Sequence, residues 1–276
     1  MRTHFLLLLL AASVVATAQT AIDQPPGPLP AGHLLLVGTR HAGNARMSHQ
    51  QLLRYLQSWQ PDIVLWEYEK DFKRVFGLQT ARLLGVAKVS IEQTALQRYS
   101  RQRPQCLILG YDTSFDRRRY LSDMIQINTR LTDSLNAAYA AGRMDSAEQV
   151  LFARYDALNH YFNERFLELD LAGMNSRRHM DSLLLYIHTE RQANTQLGSR
   201  HIADSALVQD HLEQEDFWHA RNAHMARRIQ QVRQAYPGKS MVVLMGAAHK
   251  PELMQLLGLD TGEAWFGSPP AALPEK

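Results

Sequence analysis

Two segments near opposite ends of the chain, "LLLVGTRH" ending at His41 and "VVLMGAAH" ending at His249, share one pattern: an apolar run, a glycine, two residues and a histidine. A histidine just beyond a buried strand offers imidazole nitrogen to whatever lies over the sheet end, where it can carry protons near neutral pH or ligate a metal. A third apolar run, "DIVLW", passes directly into Glu67, and a fourth, "LILGY", into Asp112. A carboxylate that continues a buried run is costly unless something pairs with it. Two imidazoles with one or two carboxylates are the ligand set of a divalent transition metal, which would turn a bound water into a hydroxide nucleophile. Hydrolysis is the chemistry that such a site implies.

For these residues to meet, the runs must be neighbouring strands of one sheet. Leu34–Val37, Ile63–Trp66, Leu107–Leu109 and Met241–Met245 are short, continuous and apolar, as buried parallel strands are. Between the first two, Leu52, Leu53, Leu56 and Trp59 recur at helical spacing and Pro61 ends the helix, which gives strand, helix, strand and a parallel crossover. Ligands gather at the carboxyl ends of such strands. Gly38 and Gly246 are expected to let the backbone turn sharply off the sheet there, leaving His41 and His249 to project over its edge. From Arg117 to about Ala235 the sequence is charged, Leu-rich and nearly free of glycine and proline, which predicts consecutive helices broken near "AAGRMD", "LAGMNS" and "QLGSR". In the last of these helices Trp218, Met225, Ile229 and Val232 form the apolar face; Asn222 sits on it, and Arg221 on the adjacent stripe. A buried amide demands partners, and the polar crevice would supply them.

The expected fold is α/β: a mainly parallel sheet with flanking helices and a helical insertion at about 117–210, in one domain over 33–276. Residues 1–18 carry a basic start, an apolar run and the pair Ala16 and Ala18, the pattern of a secretory signal peptide; 19–32 read as a Pro/Gly-rich linker. The protein is therefore expected to be exported, periplasmic or secreted, with no transmembrane span. Of its 276 residues 45% are hydrophobic, enough for a sizeable core, and Lys plus Arg exceed Asp plus Glu by only three, scattered along the chain, which argues against a nucleic-acid partner. The single cysteine, Cys106, excludes an intramolecular disulfide and a cysteine metal cage, and reads as a small core residue.

Each candidate also has an ordinary structural alternative. Glu67 would serve as a helix N-cap or salt-bridge partner, Asp112 as a helix cap, Arg221 as a surface charge and Asn222 as a core amide. Glu69, the rival of Glu67, is expected to face solvent. His219 and His224 stand five apart on a helix, which does not align them for one metal; both are expected to be partly exposed. The chain lacks His-Glu-x-x-His, a Gly-Lys-Ser/Thr phosphate loop and a Gly-x-Ser-x-Gly elbow.

Taken in order, "LLLVGTRH", "DIVLWE", "RNAHMARRI" and "VVLMGAAH" resemble the TraB/GumN/Tiki family, within the wider group of erythromycin esterases and ChaN-type haem-binding proteins. The resemblance covers residues 33–112 and 215–258 and leaves the helical middle unmatched. It implies an exported metal-dependent hydrolase of peptidase or esterase type, with manganese or cobalt, or else zinc, as the ion and a small molecule or peptide as substrate. Carried over by position, His41, Glu67 and His249 match the motif residues, and Arg221 with Asn222 the pair on the late helix; Asp112 would assist. Arg40 departs from the pattern, because a large cation beside the first histidine would repel a metal or bind an anionic substrate. Two rivals follow from the wider group: a metal-free enzyme in which a histidine is general base on an ester, and a non-catalytic binding protein for haem or another small ligand.

Overall fold

The computed structural model describes residues 27–44, 46–72 and 90–259. The expected signal peptide and the first part of the linker lie outside these residues. Four strands, β1 (Leu34–Thr39), β2 (Ile63–Trp66), β3 (Leu107–Gly110) and β4 (Met241–Gly246), form one sheet in the order β1-β4-β2-β3. Every pairing is parallel, with Gly38 beside Met245 and Thr39 beside Gly246. The last strand therefore lies next to the first, as the site requires.

Both faces of the sheet are covered, which is why its strands are apolar runs rather than alternating ones. On one face Leu35, Val37, Val64, Trp66, Val242 and Leu244 pack against α1 (His49–Trp59) and α2 (Ile91–Gln102). The Oγ of Ser48 caps α1 by accepting from Gln51 N, and Gln60 ends it in the left-handed region ahead of Pro61. Its Leu52, Leu56 and Trp59 are fully buried; a buried side chain of this size contributes about 1.5–3 kcal/mol. α2 has no counterpart among the expected elements, although Ser90 caps it and Ile91, Ala95, Leu96 and Tyr99 supply its buried stripe. On the other face Leu34, Leu36, Ile63, Leu65, Met241, Val243 and Met245 meet Met225, Ala226, Ile229 and Val232, together with Leu253 and Met254 of the last helix.

The insertion is helical, as expected: α3 (Arg117–Ala140), α4 (Ser146–Arg165), the single turn α5 (Leu171–Met174), α6 (Arg177–His201) and α7 (Ser205–Ala235). A separate core of Leu135, Ala138, Phe152, Tyr155, Ala193 and Leu197 holds α3, α4 and α6 together. Two boundaries differ from the reading. The break expected at "QLGSR" comes later, because α6 runs through the buried Gly198 and stops at Ile202. The insertion has no edge at residue 210, since α7 is continuous for 31 residues; its first half belongs to the bundle and its second half packs on the sheet. After β4 a 3-10 turn (Ala247–His249) leads into α8 (Lys250–Leu256). Among the described residues no helix is long and apolar enough to cross a membrane.

Candidate functional site

The chain leaving β1 turns to α1 on one face of the sheet, and the chain leaving β4 turns to α8 on the other. Two adjacent strands whose exits diverge open a crevice at their carboxyl ends, the place where open parallel sheets bind ligands. His41 follows β1 by two residues, Glu67 directly continues β2, Asp112 follows β3 by two, and His249 closes the 3-10 turn after β4.

Arg221 of α7 stands at the centre of this crevice, 5% exposed. Its Nε and Nη2 donate to Asp112 Oδ1 and Oδ2, both at 2.9 Å; Nη2 also donates to Glu67 Oε1 at 2.6 Å and Nη1 to His249 Nε2 at 3.1 Å. The guanidinium lies 4.7 Å over the centre of the Phe115 ring. A planar fork of five N–H groups is what this geometry needs, and a lysine would not reproduce it. Four of those N–H groups are used, which leaves one on Nη1 for an incoming acceptor.

Burial alone would raise the Glu67 carboxyl. His249, His41, Arg221 and the Gly246 N–H around it bring it instead down to about 2, so it is ionised at neutral pH. The Gly246 N–H donates to its Oε2 at 2.6 Å. For His249 burial wins over the attraction of Glu67 and holds the imidazole down to about 4. Being neutral at pH 7, His249 donates from Nδ1 to Asn222 Oδ1 at 2.6 Å and accepts Arg221 at Nε2. The Asn222 amide is oriented by Glu252, whose Oε2 accepts from Nδ2 at 2.6 Å, and Trp218 stacks on the His249 ring at 4.0 Å. Asn222 is thus the completely buried amide that its place on the helix predicted, and its partners are those of the crevice.

His41 differs from His249 in both exposure and company. Its side chain is 46% exposed; Nδ1 lies 2.9 Å from Glu92 Oε1, and Nε2 lies 3.6 Å from Glu67 Oε2 at the wall of the cavity. Glu92 is buried at the start of α2, and the Thr39 hydroxyl lies against it and against Met245 O. Burial would raise the Glu92 carboxyl, but His41, Thr39 and Ser90 lower it, so it too is an anion at neutral pH. With Glu92 an anion, Nδ1 of His41 is the donor and Nε2 the atom turned to the cavity. Sequence reasoning missed Glu92 because it follows no strand; the signal was its place two residues after the Ser90 cap on an amphipathic stripe.

Neither motif glycine serves the sharp turn expected of it. Gly38 is inside β1, Gly246 has φ −58°, and neither is among the positive-φ glycines. Both are instead points of close approach. A Cβ on Gly38 would come 3.0 Å from Ala247 Cα, and one on Gly246 would come 3.1 Å from His41 Nε2 and 3.4 Å from Glu67 Oε2. Behind them the buried Lys250 donates to Asn175 Oδ1 at 2.8 Å, and Asn175 bonds both Gly38 N and Gly38 O.

Over the polar floor lies a cavity of about 250 Å³. His41, Glu67, Arg221, Gly246 and His249 face it from below; Phe115, Tyr120, Leu121, Met124, Phe166 and Trp218 wall it from the helical side. The insertion therefore covers the crevice with apolar surface, and Arg40 adds one cation to its lining.

The expected metal site does not fit this arrangement. Glu67 Oε1, both Asp112 oxygens and His249 Nε2 converge on the Arg221 guanidinium, which already supplies positive charge to these atoms. A second cation there would meet direct repulsion and lone pairs already engaged. Among the described residues no three His, Cys, Asp or Glu side chains are gathered to hold a metal. Asp112 accordingly appears as the bidentate partner of Arg221, and His249 as its acceptor. Elsewhere, Glu69 is exposed and His224 partly so, Cys106 is a buried free thiol, and His219 is paired with Glu252 at 2.7 Å. No family model, no curated protein and no solved structure matches this chain.

Proposed function

We propose that the protein is an exported hydrolase of small esters or amides in which His41 is the proton carrier and Arg221 the fixed cation, with no metal in the reaction. The observation that carries this reading is the Glu92–His41 pair: a buried carboxylate on Nδ1 of an imidazole whose Nε2 borders the cavity. In the proposed step His41 Nε2 takes a proton from water as the water oxygen attacks the carbonyl carbon. Glu92 and Glu67, both anions, stabilise the imidazolium that forms, and the remaining Nη1–H of Arg221 donates to the carbonyl oxygen as it becomes an oxyanion. The same imidazolium then returns its proton to the leaving oxygen or nitrogen as the carbon–heteroatom bond breaks. His249, held neutral between Asn222 and Arg221, fixes the guanidinium and does not exchange protons near pH 7.

The four motifs that resemble the TraB/GumN/Tiki family, within the wider group that includes erythromycin esterases, support hydrolysis, and the guanidinium that engages Glu67, Asp112 and His249 supports its metal-free form. The test is a panel of chromogenic esters and amides with the purified protein and its His41→Ala variant. Loss of a general base lowers turnover by about 10²–10⁴-fold. A panel hydrolysed equally by both proteins, or by neither, would remove the reading.

A further inference from the structure

A second cavity, of about 450 Å³, lies where α3, α6, α7 and α8 meet, and it shares Trp218, Tyr120, Met124 and Ala248 with the first. Its walls are largely apolar, with Leu183 and Ile187 of α6 facing Pro251 and Leu256 of α8. Into this apolar space the facing helices α6 and α7 bring a group of polar side chains that the chemistry at His41 does not use: Glu190 and Arg191 from one, His211 and Glu215 from the other.

Their charges do not balance. Arg191 is placed to answer Glu215, Nε to Oε2 at 3.9 Å. Glu190 accepts from the Tyr186 hydroxyl at 3.1 Å, a neutral donor. Burial, with Glu215 nearby, pushes the Glu190 carboxyl up to about 7, as expected of an acid that lacks a cation. His211 is 4% exposed, burial lowers its basicity, and its Nε2 has no hydrogen-bond partner in the structure. A buried imidazole nitrogen without a partner is costly unless a ligand supplies one. The cavity thus presents a carboxyl group that lacks a cation and an unused imidazole nitrogen in an apolar chamber. A metal is not the occupant that fits, since no three ligating side chains are gathered around one position among the described residues.

We propose that this cavity binds a primary amine carried on a compact apolar body, its ammonium donating to Glu190 and to His211 Nε2 while the body lies against Leu183, Ile187 and Pro251. An ammonium has three donors and no acceptor, which suits the Glu190 carboxyl and a His211 whose proton is on Nδ1, so that Nε2 accepts. An anionic or purely apolar ligand would leave Glu190 and His211 unanswered. Because the amine is recognised away from His41, its binding is independent of the hydrolytic reading.

The experiment is calorimetric titration of the whole protein with 2-phenylethylamine and with its neutral counterpart 2-phenylethanol. The amine is expected to bind at least about tenfold more tightly, the scale of a charge-assisted hydrogen bond in a buried site. Glu190→Gln should erase that difference, Ile187→Trp should fill the chamber and abolish binding of both, and His41→Ala should bind the amine as the unaltered protein does. Equal binding of amine and alcohol by the unaltered protein, binding of neither, or an unchanged preference in a cooperatively folded E190Q would overturn the proposal.

Discussion

Glu92 Oε1 lies 2.9 Å from Nδ1 of His41, across 51 residues of sequence and from a different element, so that a buried carboxylate fixes the orientation of a half-exposed imidazole. If His41 carries the proton, Glu92 must act through it without touching substrate. Glu92→Gln keeps the shape and removes the charge that stabilises the imidazolium. The expected result is a fall in kcat of at least about tenfold with little change in KM, and a pH–rate profile displaced to lower pH, because the uncharged amide no longer favours the protonated ring. A purely structural role would change melting temperature and leave the profile where it was.

Arg221 neutralises Glu67 and Asp112 in a site from which water is largely excluded. Truncating one member of such a cluster leaves the others charged and unanswered. Arg221→Ala is expected to destabilise the fold by about 3–5 kcal/mol, measured by denaturant unfolding. Arg221→Lys should recover only part of this, because a point charge does not reproduce the fork that meets Asp112 with two nitrogens.

Gly246 tests the geometry at the smallest scale. One added methyl would lie 3.1 Å from His41 Nε2 and 3.4 Å from Glu67 Oε2, tighter than such contacts normally are. Since φ is −58°, the backbone itself tolerates alanine. Gly246→Ala should therefore cost activity by an order of magnitude or more while its melting temperature changes little, because the methyl meets side chains of the site rather than the core.

Acid sensitivity follows from two buried histidines. Burial depresses His249 and His179, each from 6.5 to about 4, so between those values the unfolded chain binds protons that the folded chain refuses. The sign is that of a depressed base: full stability is present above pH 6.5 and is lost as pH falls towards 4, by about 3 kcal/mol for each group. His179 packs against Phe162 and Phe166 of the insertion, and Lys250 adds to the depression that burial causes. His179→Phe should therefore reduce the loss in stability between pH 6.5 and 4 by about 3 kcal/mol, read from unfolding curves at each pH.

Much of this was legible in the sequence, for a physical reason. A strand buried on both faces must be an apolar run, so its end is visible, and a polar residue directly beyond it is conspicuous; His41, Glu67, Asp112 and His249 were found in that way. Asn222 and Arg221 were found because a polar group on an apolar helical stripe needs partners. Three features were not legible. Glu92 hides among ordinary helix-start acids, and only the fold brings it to His41. Lys250, fully buried against Asn175, reads in sequence as a surface charge. The two glycines were recognised and their purpose was misjudged, since close approach of another chain segment, unlike a turn, leaves no local signal. The expectation of a metal rests on residue types and order, which name a ligand set but do not reveal that a guanidinium from a distant helix meets Glu67, Asp112 and His249.

The most direct measurement compares hydrolysis of an activated ester by the protein before and after exhaustive chelation, with His41→Ala in parallel and the metal content of each sample determined. The account predicts a rate unchanged by chelation, not raised by added manganese, cobalt or zinc, and reduced about 10²-fold or more in His41→Ala. A rate abolished by the chelator and restored by one of those ions would contradict it.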